Sequence, residues 1–229
     1  MASYVLVHGA YQGGWIWKPV VERLRAGGHV VHAPTLDGCA ERHAQIRPGI
    51  TIGTHAQEIA QFLFYEDLRD VVLVGTSSGG MVIVKAAEQA ADRIARVVFV
   101  DALALLPGER IADIVKRPTP VSTDVATGPS REDAEGRMFA DLDPALRAWA
   151  LARYTLHPKA AMDDPMVGTT FWDRAWPNTL VVRCRRAANP PEAHQRRTAE
   201  RLKARWAELD TGHYPMLSQP EELTRLLVQ

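Results

Sequence analysis

Residues 71–80 run Val-Val-Leu-Val-Gly-Thr-Ser-Ser-Gly-Gly, and few folds accommodate such a stretch. The apolar run at its start reads as a buried strand, and residues 79–90 carry helical spacing. Between them, Gly-x-Ser-x-Gly demands a sharp strand-to-helix turn with Ser77 at its tip. Side chains at positions 75 and 79 would collide with the neighbouring strand and helix, which accounts for the two glycines. The helix that follows aims its N-terminal amides at any negative charge developing near the serine. Ser77 is therefore the candidate nucleophile, and the backbone N–H of Ser78 is a candidate oxyanion donor.

The rest of the chain alternates in the same way. Strands are predicted over 4–8, 29–33, 71–75, 96–100, 179–184 and 205–209, and helices over 17–26, 54–65, 79–90, 193–203 and 220–227. Gly27-Gly28 ends the first helix, and Thr51 or Thr54 caps the second. This alternation predicts an α/β fold with a parallel sheet covered by helices on both faces. Residues 107–177 break the rhythm, being rich in Pro, Asp and Arg with helical patterning. They are read as a mainly helical cap inserted into one domain of 229 residues, whose core is 1–106 and 178–229. The cap would sit over the carboxyl ends of the strands, the edge where open α/β sheets bind ligands.

Charge excludes several function classes. The 27 basic residues balance 27 acidic ones in no long run of one sign, so nucleic acid and anionic lipid are not expected partners. The apolar runs are of strand length, well short of the ~20 residues that span a membrane. The two cysteines, Cys39 and Cys184, lack metal-ligand spacing and suggest no disulfide framework. With a first strand beginning at residue 3 or 4, a signal peptide is not expected, and a cytoplasmic location is the default.

A serine hydroxyl needs a base. In this strand–turn–helix architecture the acid follows the serine and the histidine comes last. Of eight histidines, His8, His29, His32, His43 and His55 precede the serine, His157 lies in the cap and His194 lies on a helix pattern read as exposed. His213, in Asp-Thr-Gly-His-Tyr-Pro after the last strand, is the candidate base, with Gly212 giving its loop freedom. His8-Gly9-Ala10 ends the first strand, which makes the Ala10 N–H the second oxyanion donor and His8 a support for that loop. The usual place for the acid is the loop after the strand over 179–184. That loop, Arg185-Arg186-Ala187-Ala188-Asn189-Pro190-Pro191, holds no carboxylate. Asp101, at the end of the strand over 96–100, is the candidate, with Glu192 in reserve.

Val5-Leu6-Val7-His8-Gly9-Ala10, Gly13-Gly14-Trp15, Trp17, Pro34-Thr35, Gly75 to Gly80 and Gly212-His213 together resemble the hydroxynitrile lyase and plant methylesterase branch of the α/β hydrolases, most closely small bacterial esterases. The resemblance covers nearly the whole chain and is weakest in the cap. It implies the α/β-hydrolase fold with a six-stranded parallel sheet, a mainly helical cap, and no metal or organic cofactor. The implied activity is that of a carboxylesterase-type serine hydrolase acting on a small-molecule ester. A methyl carbamate ester of an aromatic heterocycle, of the carbendazim type, is a variant substrate. Three departures stand out: Thr76 replaces a histidine usual in the elbow, Gly9 replaces the lyases' threonine, and Tyr214 replaces their lysine. Lyase chemistry without a covalent intermediate, and a non-catalytic ligand receptor, are the alternatives. Tyr11, Trp149 and Trp172 are the candidate substrate-binding residues, and Tyr154, Phe171 and Trp176 add to an aromatic-rich cap whose rings could equally be packing. A homodimer is the one macromolecular association entertained.

Overall fold

The computed structural model describes residues 1–116, 119–168 and 170–229. Strands β1 (Ser3–Val7), β2 (Val30–His32), β3 (Val71–Ser77), β4 (Ile94–Ala102), β8 (Leu180–Cys184) and β9 (Arg205–Leu209) form one sheet in the order β2-β1-β3-β4-β8-β9. Every pairing in it is parallel. Helices α1 (Lys18–Ala26), α2 (Ile52–Tyr65), α3 (Gly79–Gln89), α8 (Glu192–Leu202), α9 (Pro215–Ser218) and α10 (Pro220–Val228) complete this layer.

The period of two along each strand sorts the apolar side chains onto two faces. On β3, Val71 and Leu73 join the core that includes Ile59 of α2 and Ile83 of α3. Val72 and Val74 join the opposite core with Leu24 of α1 and Leu223 of α10. Both faces are covered, so the strands read as unbroken apolar runs rather than alternating ones. Thr51 caps α2: its hydroxyl accepts from Thr54 N–H (3.2 Å), and the Thr54 hydroxyl accepts from Thr51 N–H (2.9 Å).

After β1 the chain pairs β2 on one side and then returns to β3 on the other. The order reverses between β1 and β3, and a crevice opens at their carboxyl ends.

The described residues between β4 and β8 carry four short helices, α4 (Ile111–Ile114), α5 (Arg131–Asp133), α6 (Pro144–Leu151) and α7 (Lys159–Asp163), with a π turn at Ala134–Met138. It also forms a three-stranded antiparallel sheet of β5 (Val121–Ser122), β6 (Ala126–Gly128) and β7 (His157–Pro158). The expected mainly helical cap thus contains a second sheet. Strands of two or three residues are too short to show a period of two, so sequence patterning does not register them. No helix among the described residues is long and apolar enough to cross a membrane.

Buried histidines join this insertion to the core. The rings of His55 and His157 stand edge to face at 5.7 Å, and Cys39 Sγ lies 3.4 Å from His157 Nδ1. His194 is buried rather than exposed: its Nε2 accepts from Ala104 N–H (3.0 Å).

Two outcomes are expected. Leu73→Ala, in the centre of the core, should lower unfolding free energy by about 2–5 kcal/mol in urea denaturation. Phe64→Ala, at a position 60% exposed, should change it by no more than about 0.5 kcal/mol. Acid should also destabilise the fold. Burial holds His8 at about 4, and burial with the Arg197 guanidinium holds His194 at about 4, whereas unfolded histidines titrate near about 6.5. Between those values the unfolded chain takes protons that the folded chain refuses. Stability present above about 6.5 is therefore lost as pH falls, on the order of 1–2 kcal/mol per histidine by about pH 5. A urea midpoint no lower at pH 5 than at pH 7.5 would contradict this.

Candidate active site

Ser77 ends β3 in a left-handed conformation, φ +51°. The sequence enforces that turn by close contact. A Cβ at Gly75 would lie 2.7 Å from the Gly79 carbonyl oxygen, and one at Gly79 would lie 2.5 Å from the His8 carbonyl oxygen. Only glycine lets α3 start this close to β1, with Ser78 at its N-cap. Gly9 is constrained as well, since a Cβ there would sit 2.5 Å from Ser77 Cβ.

His8 is fully buried. Its Nδ1–H donates to the Gly9 carbonyl (2.7 Å), and its Nε2 accepts from Leu36 N–H (3.0 Å). These two partners require one neutral tautomer, and burial keeps the ring neutral. A trans peptide sets C=O and N–H on opposite edges of its plane. Holding the Gly9 oxygen therefore fixes the direction of the Ala10 N–H. Tyr11 follows in a left-handed conformation, φ +68°.

Asp101 comes from a bulge. β3 and β4 pair Thr76 with Val100 and then Ser77 with Ala102, so Asp101 is the unmatched residue, at φ +45°. A bulge re-aims the side chain it carries. Here the fully buried carboxylate turns toward the loops beyond β8 and β9. Its Oδ2 accepts from His213 Nδ1–H at 2.5 Å. Its Oδ1 accepts from Cys184 N–H (3.1 Å) and Gln195 Nε2 (2.8 Å). Burial, and after it the neighbouring Asp101 carboxylate, pushes the Cys184 thiol well above its usual range.

With Nδ1 engaged, Nε2 is the nitrogen His213 has left for the cavity it borders, and Ser77, Ser78, Ala10 and Tyr11 border the same cavity. The volume is about 580 Å³. The insertion supplies apolar walls from Ile111, Val115, Met138 and Met162. Behind His213, Tyr214 is buried against Phe139 (ring centroids 4.9 Å) and bonded to the Gln12 side chain. Gly212 adopts no left-handed conformation. A Cβ there would stand 1.9 Å from the Asp141 carboxylate, a side-chain end that would have to shift.

Two expected substrate contacts lie elsewhere. Trp149 packs edge-on against Trp15 (5.2 Å), with the Arg153 guanidinium over its face at 4.2 Å. Trp172 packs edge-on against Phe171 (5.3 Å) and donates to the Leu105 carbonyl (3.3 Å). Neither borders the cavity: their apolar bodies serve packing instead. Glu192, the reserve acid, sits half-exposed in the first turn of α8 and pairs with Arg183 (3.1 Å) and Arg196 (3.0 Å). Gln195 was not anticipated. Its signal was a polar residue on the buried stripe of α8, in line with Thr198, Ala199 and Leu202. Among the described residues no three His, Cys, Asp or Glu side chains group as metal ligands.

Comparison with known proteins agrees with this architecture. The model of the Alpha/beta hydrolase family matches residues 4–226. A carbendazim hydrolyzing esterase of Nocardioides sp. (strain SG-4G) is 37% identical over 120 residues, about half of each protein (52% of this chain and 50% of that one). Methylesterase 7 of Arabidopsis thaliana is 28% identical over 99% of this chain and 95% of its own length. The solved structure of an extracellular alpha/beta-hydrolase from a Paenibacillus species superposes with a TM-score of 0.84 at 20% identity, covering 100% of this chain and 98% of that one, a likeness of fold. The chain belongs to the alpha/beta hydrolase family and is a hydrolase of the carboxylesterase type.

Proposed function

We propose that the chain hydrolyses a small carboxylic ester or a methyl carbamate ester through an acyl-enzyme intermediate. The observation that carries this reading is the 2.5 Å hydrogen bond from His213 to the buried Asp101, on the rim of the cavity that the strained Ser77 also borders. In this mechanism Ser77 Oγ attacks the carbonyl carbon while His213 Nε2 takes its proton. The Ala10 and Ser78 amides receive the oxyanion. His213 then protonates the departing alcohol, and the same nitrogen activates the water that releases the acid. Asp101 holds the Nδ1–H tautomer and stabilises the imidazolium.

Cavity chemistry supports a substrate with an apolar flank, since Ile111, Val115, Met138 and Met162 of the insertion line it beside the charged Asp133, Arg137 and Asp141. The methyl carbamate variant draws support from the printed name of the Nocardioides relative. Lyase chemistry is the weaker reading. The resemblance gives the lyases a lysine after the catalytic histidine, and here that place holds Tyr214, a buried phenol that burial keeps protonated.

Ser77→Ala should abolish turnover of p-nitrophenyl acetate, a loss of about 10⁴- to 10⁶-fold, and remove the fluorophosphonate adduct that the wild type forms at Ser77. Turnover without that adduct would favour a lyase-type base mechanism, and no turnover by the wild type on a panel of methyl, aryl and carbamate esters would favour a receptor. Asp101→Asn should lower kcat by about 10⁴-fold through the wrong histidine tautomer, measured on protein whose circular dichroism matches the wild type. Near-normal kcat would remove Asp101 from the triad.

A further inference from the structure

The Asp101–His213 pair has a support that the proposed mechanism does not use. Gln195, on α8, is 1% exposed. Its Nε2 donates to Asp101 Oδ1 (2.8 Å) and also to the Pro190 carbonyl (3.0 Å). Both hydrogens of the amide are thus spent on acceptors, which fixes which end of the amide faces the carboxylate. The other end is costly: Oε1 is buried and has no protein partner among the described residues. A buried acceptor left unpaired is unfavourable, and methionine at this position would fill similar space without that cost. The amide is therefore poorly explained as packing and well explained by what Nε2 holds.

We propose that Gln195 is a positioning residue for the triad: by clamping Oδ1 of Asp101, together with Cys184 N–H, it holds Oδ2 on His213 and ties the carboxylate to the cavity wall at Pro190. This rests on the proposed roles of Ser77, His213 and Asp101. Oδ1 has two lone-pair directions filled by two donors, so rotation of the carboxylate away from His213 would break both bonds. The amide also presents the positive end of its dipole to the Asp101–His213 pair. Removing it raises the proton affinity of the pair, and the acid limb of the pH–rate profile moves to higher pH. The other titratable groups facing the pair are Cys184 on β8 and Tyr214 beyond β9, with Asp141 from the insertion acting on both of these.

The test compares Gln195→Met with Gln195→Ala. Methionine fills the space and leaves Oδ1 with one donor. Alanine opens room for a water molecule, which can donate to the same two acceptors. Expected are a kcat about 10- to 100-fold below wild type for Gln195→Met with little change in KM, an acid limb displaced upward, and a smaller kcat loss for Gln195→Ala despite a lower Tm. A packing role predicts the reverse order, with kcat following Tm. That order, or wild-type kcat and an unmoved limb in Gln195→Met, overturns the proposal. Should Gln195→Met fail to fold, the limb of Gln195→Leu, which also removes the donor while filling the space, decides: displaced upward it supports the clamp, unmoved it overturns it. Loss of the wild-type dependence on Ser77 or Asp101 would instead sink the underlying reading, whatever the Gln195 variants do.

Discussion

A carboxylate with no exposed surface governs the arrangement of this molecule. Burying the Asp101 side chain is tolerable only if hydrogen-bond partners replace the water it loses. The three it receives come from separate elements: Cys184 at the end of β8, Gln195 on α8 and His213 beyond β9. None is a formal cation at neutral imidazole, so satisfaction depends on placement rather than on charge. The loop at 185–190 and the histidine loop must both close over the carboxyl end of β4. The sheet order, with β8 beside β4 and β9 beside β8, puts them within reach. A missing carboxylate after β8 and a present one on β4 are thus two sides of one arrangement.

Strain is concentrated in the same place. Tyr11, Ser77 and Asp101, at or just beyond the carboxyl ends of β1, β3 and β4, all have left-handed backbones. Non-glycine residues held there cost on the order of 1–3 kcal/mol each and persist only where the surroundings over-determine them. β1, β3 and β4 are adjacent in the sheet and buried on both faces, so they are the strands best able to hold that strain. The remaining left-handed non-glycine residues, Ala40, Asp67, Asp70, Asn178 and Lys203, lie outside the site, and three of them are Asp or Asn, which tolerate the conformation.

How much of this the sequence discloses depends on whether the cause is local. The serine turn is legible because its glycines answer contacts within a few residues, and the six strands are legible because burial on both faces leaves apolar runs. Asp101 emerges from the sequence only by elimination, since the bulge that turns it depends on register with β3. Gln195 is invisible to propensity: a glutamine suits a helix, and its partners lie 94 residues away on Asp101 and 5 residues away on Pro190. Trp149 and Trp172 mislead because an indole is equally at home in a cleft or against a guanidinium.

The insertion also bears directly on the loop after β1. Both polar groups of the Tyr11 backbone are taken by it: Tyr11 N–H donates to His157 Nδ1 (3.4 Å), and the Tyr11 carbonyl accepts from Thr155 N–H (3.4 Å). On the other side of Ala10, His8 holds the Gly9 carbonyl from within the core. The Gly9–Ala10 peptide is therefore gripped from the core at one residue and from the insertion at the next. Both contacts are individually long, and their effect is geometric rather than energetic: together they leave the Gly9–Ala10 plane little freedom to rotate. Residues 155–157 cannot swing away as a detached lid without releasing Tyr11, so this part of the insertion braces the loop after β1 rather than lining the cavity.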